Sequence, residues 1–236
     1  MDGADTQGQP ADDDPLAEYD WLVTLVVPAV AVVVGLGMVV AGAGLAVAID
    51  EALLAEVIAE ESITFDPLTR AEMVTVFSTA AEWTAIGLAV TGGAIALGGV
   101  GFAVSRRGRP TSERRFLTNT VLGAVTTWLA SFVPFSPVVG GLVAGYLQPG
   151  GKRAASKAGA ASGALSAAPL ALMTLFLFLG IGAGLLAIQA AGVALLIGAV
   201  LLFTVAVSIG FSAGLGALGG YIGARIRDSG SPAGTR

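Results

Sequence analysis

Apolar residues run through this chain in long unbroken blocks and do not alternate with polar ones. The first block, Trp21 to Ile49, has 29 residues without a charge, and a second spans Trp83 to Ser105. A third, Phe116 to Gly151, runs for 36 uncharged residues, and a fourth, Ala158 to Ala224, for 67. At ~1.5 Å per helical residue, each is long enough for the ~30 Å hydrocarbon core of a bilayer. Continuous hydrophobicity predicts membrane helices and argues against an outer-membrane barrel, whose strands alternate.

Two blocks are too long for one crossing. Within 116–151 the break is Phe132-Val133-Pro134-Phe135-Ser136-Pro137. Each proline removes a backbone donor and pushes the preceding residue out of the helical region. This predicts an ascending arm over about 117–133 and a descending arm over about 137–149, the second only ~20 Å long as a helix. Such an arm is a short helix in a locally thinned bilayer, or a re-entrant arm shielded by its neighbours. The last block predicts two long helices, about 159–181 and 195–225. Their connection is expected near Gly180-Ile181-Gly182-Ala183-Gly184, extending to Gly192. Three crossings are the alternative.

The basic residues set the orientation. Eleven of the twelve Lys and Arg lie in 106–115, in 152–157 or from Arg225 onward; only Arg70 lies elsewhere. By the positive-inside rule these three stretches are cytoplasmic. Each apolar block between them then crosses an even number of times, and both termini are expected inside, in the cell membrane. Residues 1–20 carry seven acids and no basic residue, the pattern of a disordered acidic tail. They lack a basic n-region, so the first apolar run reads as a retained helix.

The segment 50–72 carries seven acids and one Arg and reads as an acidic outer loop. Leu53, Leu54, Val57 and Ile58 fall on one helical face, predicting that the first helix continues as an amphipathic stem. Asp66-Pro67 reads as an N-cap followed by the first residue of the next helix. The loop's carboxylates form no calcium-loop pattern and are expected to be a solvated face. Glu82 is the candidate intramembrane polar residue, since carboxylates within apolar stretches mark functional sites by default. It sits beside Trp83, and Trp favours the interface, so anchoring at headgroup level is the expected role. Asn119 and Gln189 are polar but lie close to predicted helix ends, and Trp128 reads as lipid- or interface-facing packing.

Composition narrows the chemistry. Hydrophobic residues make up 55% of the chain and charged residues 12%, about half the share of a soluble domain. There is no His and no Cys, which removes imidazole bases, thiolate nucleophiles, disulfides and the usual zinc sites. No cofactor and no metal are expected. The net charge of −5, with only two Lys, suggests a high-salt cytoplasm that screens carboxylate repulsion. No basic stripe with interleaved aromatics appears, so nucleic acid is not expected as a partner.

Glycine, at 34 residues, recurs at helix-contact spacing. Gly141 and Gly145 are four apart, as are Gly216 and Gly220, and Gly223 continues the second stripe. In lipid, small residues let helix backbones approach and gain dispersion contact, so these five are the candidate helix-packing residues. The expectation is that the arm bearing Gly141 and Gly145 packs on the final helix. An internal echo joins them: Gly141-Leu-Val-Ala-Gly-Tyr146-Leu147 reads like Gly216-Ala-Leu-Gly-Gly-Tyr221-Ile222. Both copies run outside to inside, as in a parallel repeat.

From Asn119 to Arg227 the chain resembles a family of small Gly-rich multi-pass proteins of halophilic archaea, a domain of unknown function. The matching features are the Pro134–Pro137 break, the Gly140-Gly141-Leu-Val-Ala-Gly145-Tyr146-Leu147 helix and the Leu218-Gly219-Gly220-Tyr221-Ile222-Gly223-Ala224 ending. The resemblance implies a four-helix membrane module and carries no functional residues.

Together these readings predict an all-α, polytopic integral membrane bundle of about six segments. Residues 21–105 form a two-helix hairpin, 106–115 a basic linker, 116–227 a four-segment module and 228–236 a tail. A non-enzymatic assembly or envelope role is expected, with membrane lipids and a second copy or another membrane protein as partners. The alternative is a channel or transporter component, for which Ser131, Ser136, Ser208 and Ser212 would line the path. Intramembrane hydrolysis ranks third, because Glu82 has no acidic neighbour within a turn or two.

Overall fold

The computed structural model describes residues 20–60, 68–106 and 109–230, and they are all-helical. The acidic tail to residue 19, the Asp66-Pro67 pair and residues 231–236 lie outside this description. The order is α1 (Asp20–Ala48), α2 (Glu51–Glu60), α3 (Arg70–Ser105), α4 (Thr111–Leu129), α5 (Ser136–Leu147), α6 (Gly151–Ala187) and α7 (Ala191–Gly230). Four are long and apolar enough to cross a membrane: α1, α3, α6 and α7. That is fewer than the six segments expected, because α4, with 19 residues, is not apolar enough for a span and α5, though apolar, has only 12.

The two proline-bounded arms form an antiparallel hairpin. Pro137 opens α5, and Phe135 before it takes a left-handed backbone, φ 63°. This is a conformation that bulky side chains adopt rarely.

Several boundaries differ from expectation. The α6–α7 connection is Ile188 to Ala190, past the Gly180–Gly184 cluster, and Gln189 adopts φ 64° there. Gly180 and Gly184 lie inside α6, where Ala80 Cα and Val76 Cα would each be 2.7 Å from an added Cβ. These glycines admit a neighbouring helix and do not break their own. The amphipathic stem is a separate helix: Asp50 accepts a hydrogen bond from Ala52 N at 2.9 Å and starts α2 anew. Helix α3 starts on Thr69, whose hydroxyl accepts from Glu72 N while the Glu72 carboxylate accepts from Thr69 N at 2.7 Å. This capping box satisfies two of the N–H groups that every helix start leaves free. The basic linker is also shorter than expected, because α4 takes over at Thr111.

Helices α1 and α3 are antiparallel. Gly35 lies against Gly92 and Ala96, Gly42 against Ala85 and Ala89, and Gly99 against Ala31 and Pro28. Arg106, buried at the end of α3, donates to Thr24 Oγ1 at 2.8 Å and closes that end. Helix α6 runs antiparallel to α3 along Gly87–Phe176, Gly180–Ala80 and Gly184–Val76, with the Trp83 and Phe176 rings 6.3 Å apart. Beyond α1, the end of α2 and the first two turns of α3 bury Ile58, Met73 and Val76.

Candidate functional site

The densest packing lies where α5, α6 and α7 meet. A Cβ on Gly141 would strike the Gly216 backbone, with its Cα at 2.7 Å, and one on Gly145 would strike the Gly220 carbonyl carbon at 2.7 Å. From the other side, Gly216 meets Gly159, and Gly220 meets Ala155 and Gly159. Gly219 and Gly223 turn toward α5, where Leu142 N and Tyr146 N would be 2.8 and 2.7 Å from an added Cβ. All five glycines picked from the sequence therefore come together. Helix α6 shares the crossing through Gly159 and Gly163, a pair at the same four-residue spacing.

The pairing fixes directions. Gly141 faces Gly216 and Gly145 faces Gly220, so α5 and α7 run parallel, and the echoed segments lie against each other in register. Pairing of Gly159 with Gly216 and Gly163 with Ser212 makes α6 and α7 antiparallel. Helix α4 joins through Gly123, which opens onto Ser162 Oγ and Ala144 Cβ at 2.5 and 2.8 Å from an added Cβ. The Ser162 hydroxyl is fully buried and has no hydrogen-bond partner; it faces the side of α4 that Gly123 leaves bare. Trp128 donates from Nε1 to Ser166 O at 3.1 Å with half its surface exposed.

These contacts also give depth. The α4–α5 turn lies level with Ser166 in the middle of α6, since Trp128 bonds there. Glu82 lies level with about residue 179 of α6, one residue from Gly180 and its neighbours Ala80 and Trp83. The hairpin turn thus stops roughly 20 Å short of the level of Glu82 along the helix axes. At that turn Leu129, Phe132 and Phe135 are exposed.

The other end of α5 carries a polar cap. Asn119 is buried, and its Nδ2 donates to Leu147 O and to Gln148 Oε1, both at 3.0 Å. Arg227 Nη1 donates to Tyr146 O at 3.4 Å and to Gln148 O. The last carbonyls of a helix have no internal partner and carry partial negative charge, so an amide and a guanidinium satisfy both needs. In sequence Asn119 reads only as a polar residue near a helix end. That position is its role, and the cue is an amide one short arm away from the amide of Gln148.

A family of unknown function, DUF5518, matches residues 117–226. The matched segment holds this crossing and the Asn119–Gln148 part of its cap, stops one residue short of Arg227, and leaves α1 to α3 outside. Over that stretch the chain is similar to a family without an assigned activity. No curated protein and no solved structure matches the chain.

The remaining candidates are dispersed. Glu82 is exposed on α3, level with the end of α1, since Gly42 faces Ala85 and Ala89. Among the described residues no cluster of three or more His, Cys, Asp or Glu could hold a metal ion. Ser131 and Ser208 lie exposed on the surface and Ser136 and Ser212 are half-buried, so the four serines do not line one interior path. A lateral groove of about 670 Å³ lies between the halves of α6 and α7 that adjoin their connection, bounded by Trp83, Phe178, Leu179, Leu195 and Leu202.

Proposed function

We propose that this chain is a non-enzymatic membrane protein with an assembly or envelope role, built as four spanning helices and one re-entrant hairpin. In this reading the basic ends face the cytoplasm, both termini lie inside, and the membrane is the cell membrane. The α4–α5 hairpin enters and leaves on the basic side and does not cross. Glu82 then sits at the outer headgroup level beside Trp83, where a carboxylate stays hydrated. Its exposure and its level with the end of α1 support that placement. A second copy or another membrane protein is the expected partner.

The single observation that carries the reading is the backbone-to-backbone closure at Gly141, Gly145, Gly159, Gly216 and Gly220. Helices in such contact leave no interior room for a solute at the centre of the module. The test is flux through proteoliposomes holding the purified full-length chain. Leakage of K⁺, Cl⁻ and a small sugar should equal that of empty vesicles. Saturable flux of any of them, lost in Glu82→Gln or in a Ser162→Ala variant, would replace this reading with the channel or transporter alternative.

A further inference from the structure

At the basic end of the bundle, the cations are not alike. Arg106, Arg109 and Arg227 are engaged by the protein: Arg106 by Thr24 and the Phe102 ring, Arg109 by Glu113, and Arg227 by the α5 carbonyls and Asp228. Lys152, Arg153 and Arg225 are exposed, and no ion pair to them forms among the described residues. Lys152 and Arg225 belong together. Ala155 lies beside Gly220 and Gly159 beside Gly216, so the antiparallel register sets Lys152 and Arg225 at one level to within a helical turn. The Lys152 ammonium stands 5.6 Å above the Tyr221 ring, and Arg225 follows Tyr221 by one turn on the same face of α7.

Below these cations the surface becomes apolar and narrow. Gly214, Leu218, Tyr221 and Arg225 recur at spacings of four, three and four, and all are exposed. Gly214 has open space where a side chain would stand. The stripe thus runs from the two cations, past an aromatic ring, onto a lipid-facing apolar face. Helix α6 also begins here with Lys152 and Arg153 in its first turn, no acidic residue and no side-chain cap. Two cations at the positive end of a helix dipole repel it, and an anion relieves both.

We infer that Lys152, Arg225 and Tyr221 form a binding site for an anionic phospholipid of the surrounding membrane. The phosphate lies between the two cations and one chain lies along Leu218 and Gly214. The inference rests on the membrane placement proposed above and goes beyond it by naming a ligand class. Charge complementarity selects the lipid: a zwitterionic headgroup brings its own cation into a site that already holds two.

The test uses the full-length chain in neutral detergent, titrated with phosphatidylglycerol, phosphatidylcholine or inorganic phosphate while thermal unfolding is followed. A ligand that binds the folded form raises the melting temperature with its concentration. Phosphatidylglycerol should stabilise at far lower concentration than phosphatidylcholine, and phosphate alone should not stabilise. Lys152→Gln with Arg225→Gln should weaken the phosphatidylglycerol response roughly thirtyfold, given about fivefold per membrane-facing cation. Arg109→Gln, removing a cation already paired with Glu113, should leave it near parental. Equal response to both lipids, or a double variant that responds like the parent, would overturn the site. Either result leaves the membrane reading standing, which fails only if the chain needs no detergent to stay in solution. If the double variant lowers the lipid-free melting temperature, Lys152→Gln alone is held to the same criterion.

Discussion

The α1–α3 hairpin and the α4–α7 module are both closed by glycine, at different spacings. In the hairpin the contacting glycines recur every seven residues, Gly35 with Gly42 and Gly92 with Gly99. In the module they recur every four, as in Gly141 with Gly145 and Gly216 with Gly220. A seven-residue repeat follows the seam of two antiparallel helices that wind slowly around each other. A four-residue repeat puts two bare patches on successive turns and lets backbones touch. The obstacles are largely alike: an added Cβ on Gly35, Gly42 or Gly92 first meets backbone of the facing helix, as one on Gly141 or Gly145 does, and only one on Gly99 first meets a side chain, the Ala31 methyl. A methyl group shifts more readily than a helix backbone, so Gly99 is more forgiving than the glycines of the module's crossing.

The largest effect is expected from Gly220→Leu. Its side chain must displace Ala155 and Gly159 of α6, and lipid offers no hydrophobic compensation. A misfit of this kind costs ~1–3 kcal/mol, read as a lower melting temperature in detergent, with Gly220→Ala milder. A parental melting temperature would break the comparison at its strongest point. Next is Asn119→Ala, which strips the cap from α5 and leaves the Gln148 amide short of a donor. It is expected to cost ~1–2 kcal/mol and to speed hydrogen exchange in α5 before α7. Gly99→Ala should follow, with a smaller loss than Gly220→Ala in the same assay. The reverse order would mean that the Ala31 methyl gives way less readily than the α6 backbone at Gly220. Smallest is Gly37→Ala on α1, where a methyl group meets open space. Its melting temperature should match the parent within the ~0.5 kcal/mol typical of surface changes.

What is legible in the sequence follows the same division. The apolar blocks locate α1, α3, α6 and α7, because a membrane helix is defined by local composition. The four-residue glycine pairs point to the α5–α7 contact, since bare patches on successive turns of two helices have few other uses in lipid. The seven-residue pairs of α1 and α3 are harder to see, because two turns of Gly/Ala-rich sequence separate their members. Gly180 and Gly184 mislead, because a glycine that admits a neighbouring helix looks in sequence like one that ends its own helix. The better sign of the turn is Gln189, a lone amide in an apolar run that takes a left-handed backbone. The start of α3 is readable as Thr69-Arg-Ala-Glu72, a capping box three residues past Asp66. The depth of the α4–α5 hairpin is not readable at all. It depends on which turn of α6 meets Trp128, a tertiary register with no local signal.

That depth is the central claim, and single cysteines test it directly because the chain has none of its own. Cysteine is placed at Ser62, Ser112, Ser131, Ser156 or Ser229 and treated with a membrane-impermeant thiol reagent in intact cells. Only position 62 should react from outside. Positions 112, 156 and 229 should react only after the membrane is opened, and position 131, at the hairpin turn, should stay protected in the intact cell. Labelling of position 131 from outside as fast as position 62 would mean that α4 and α5 cross the membrane after all. That would restore six crossings and contradict the re-entrant arrangement.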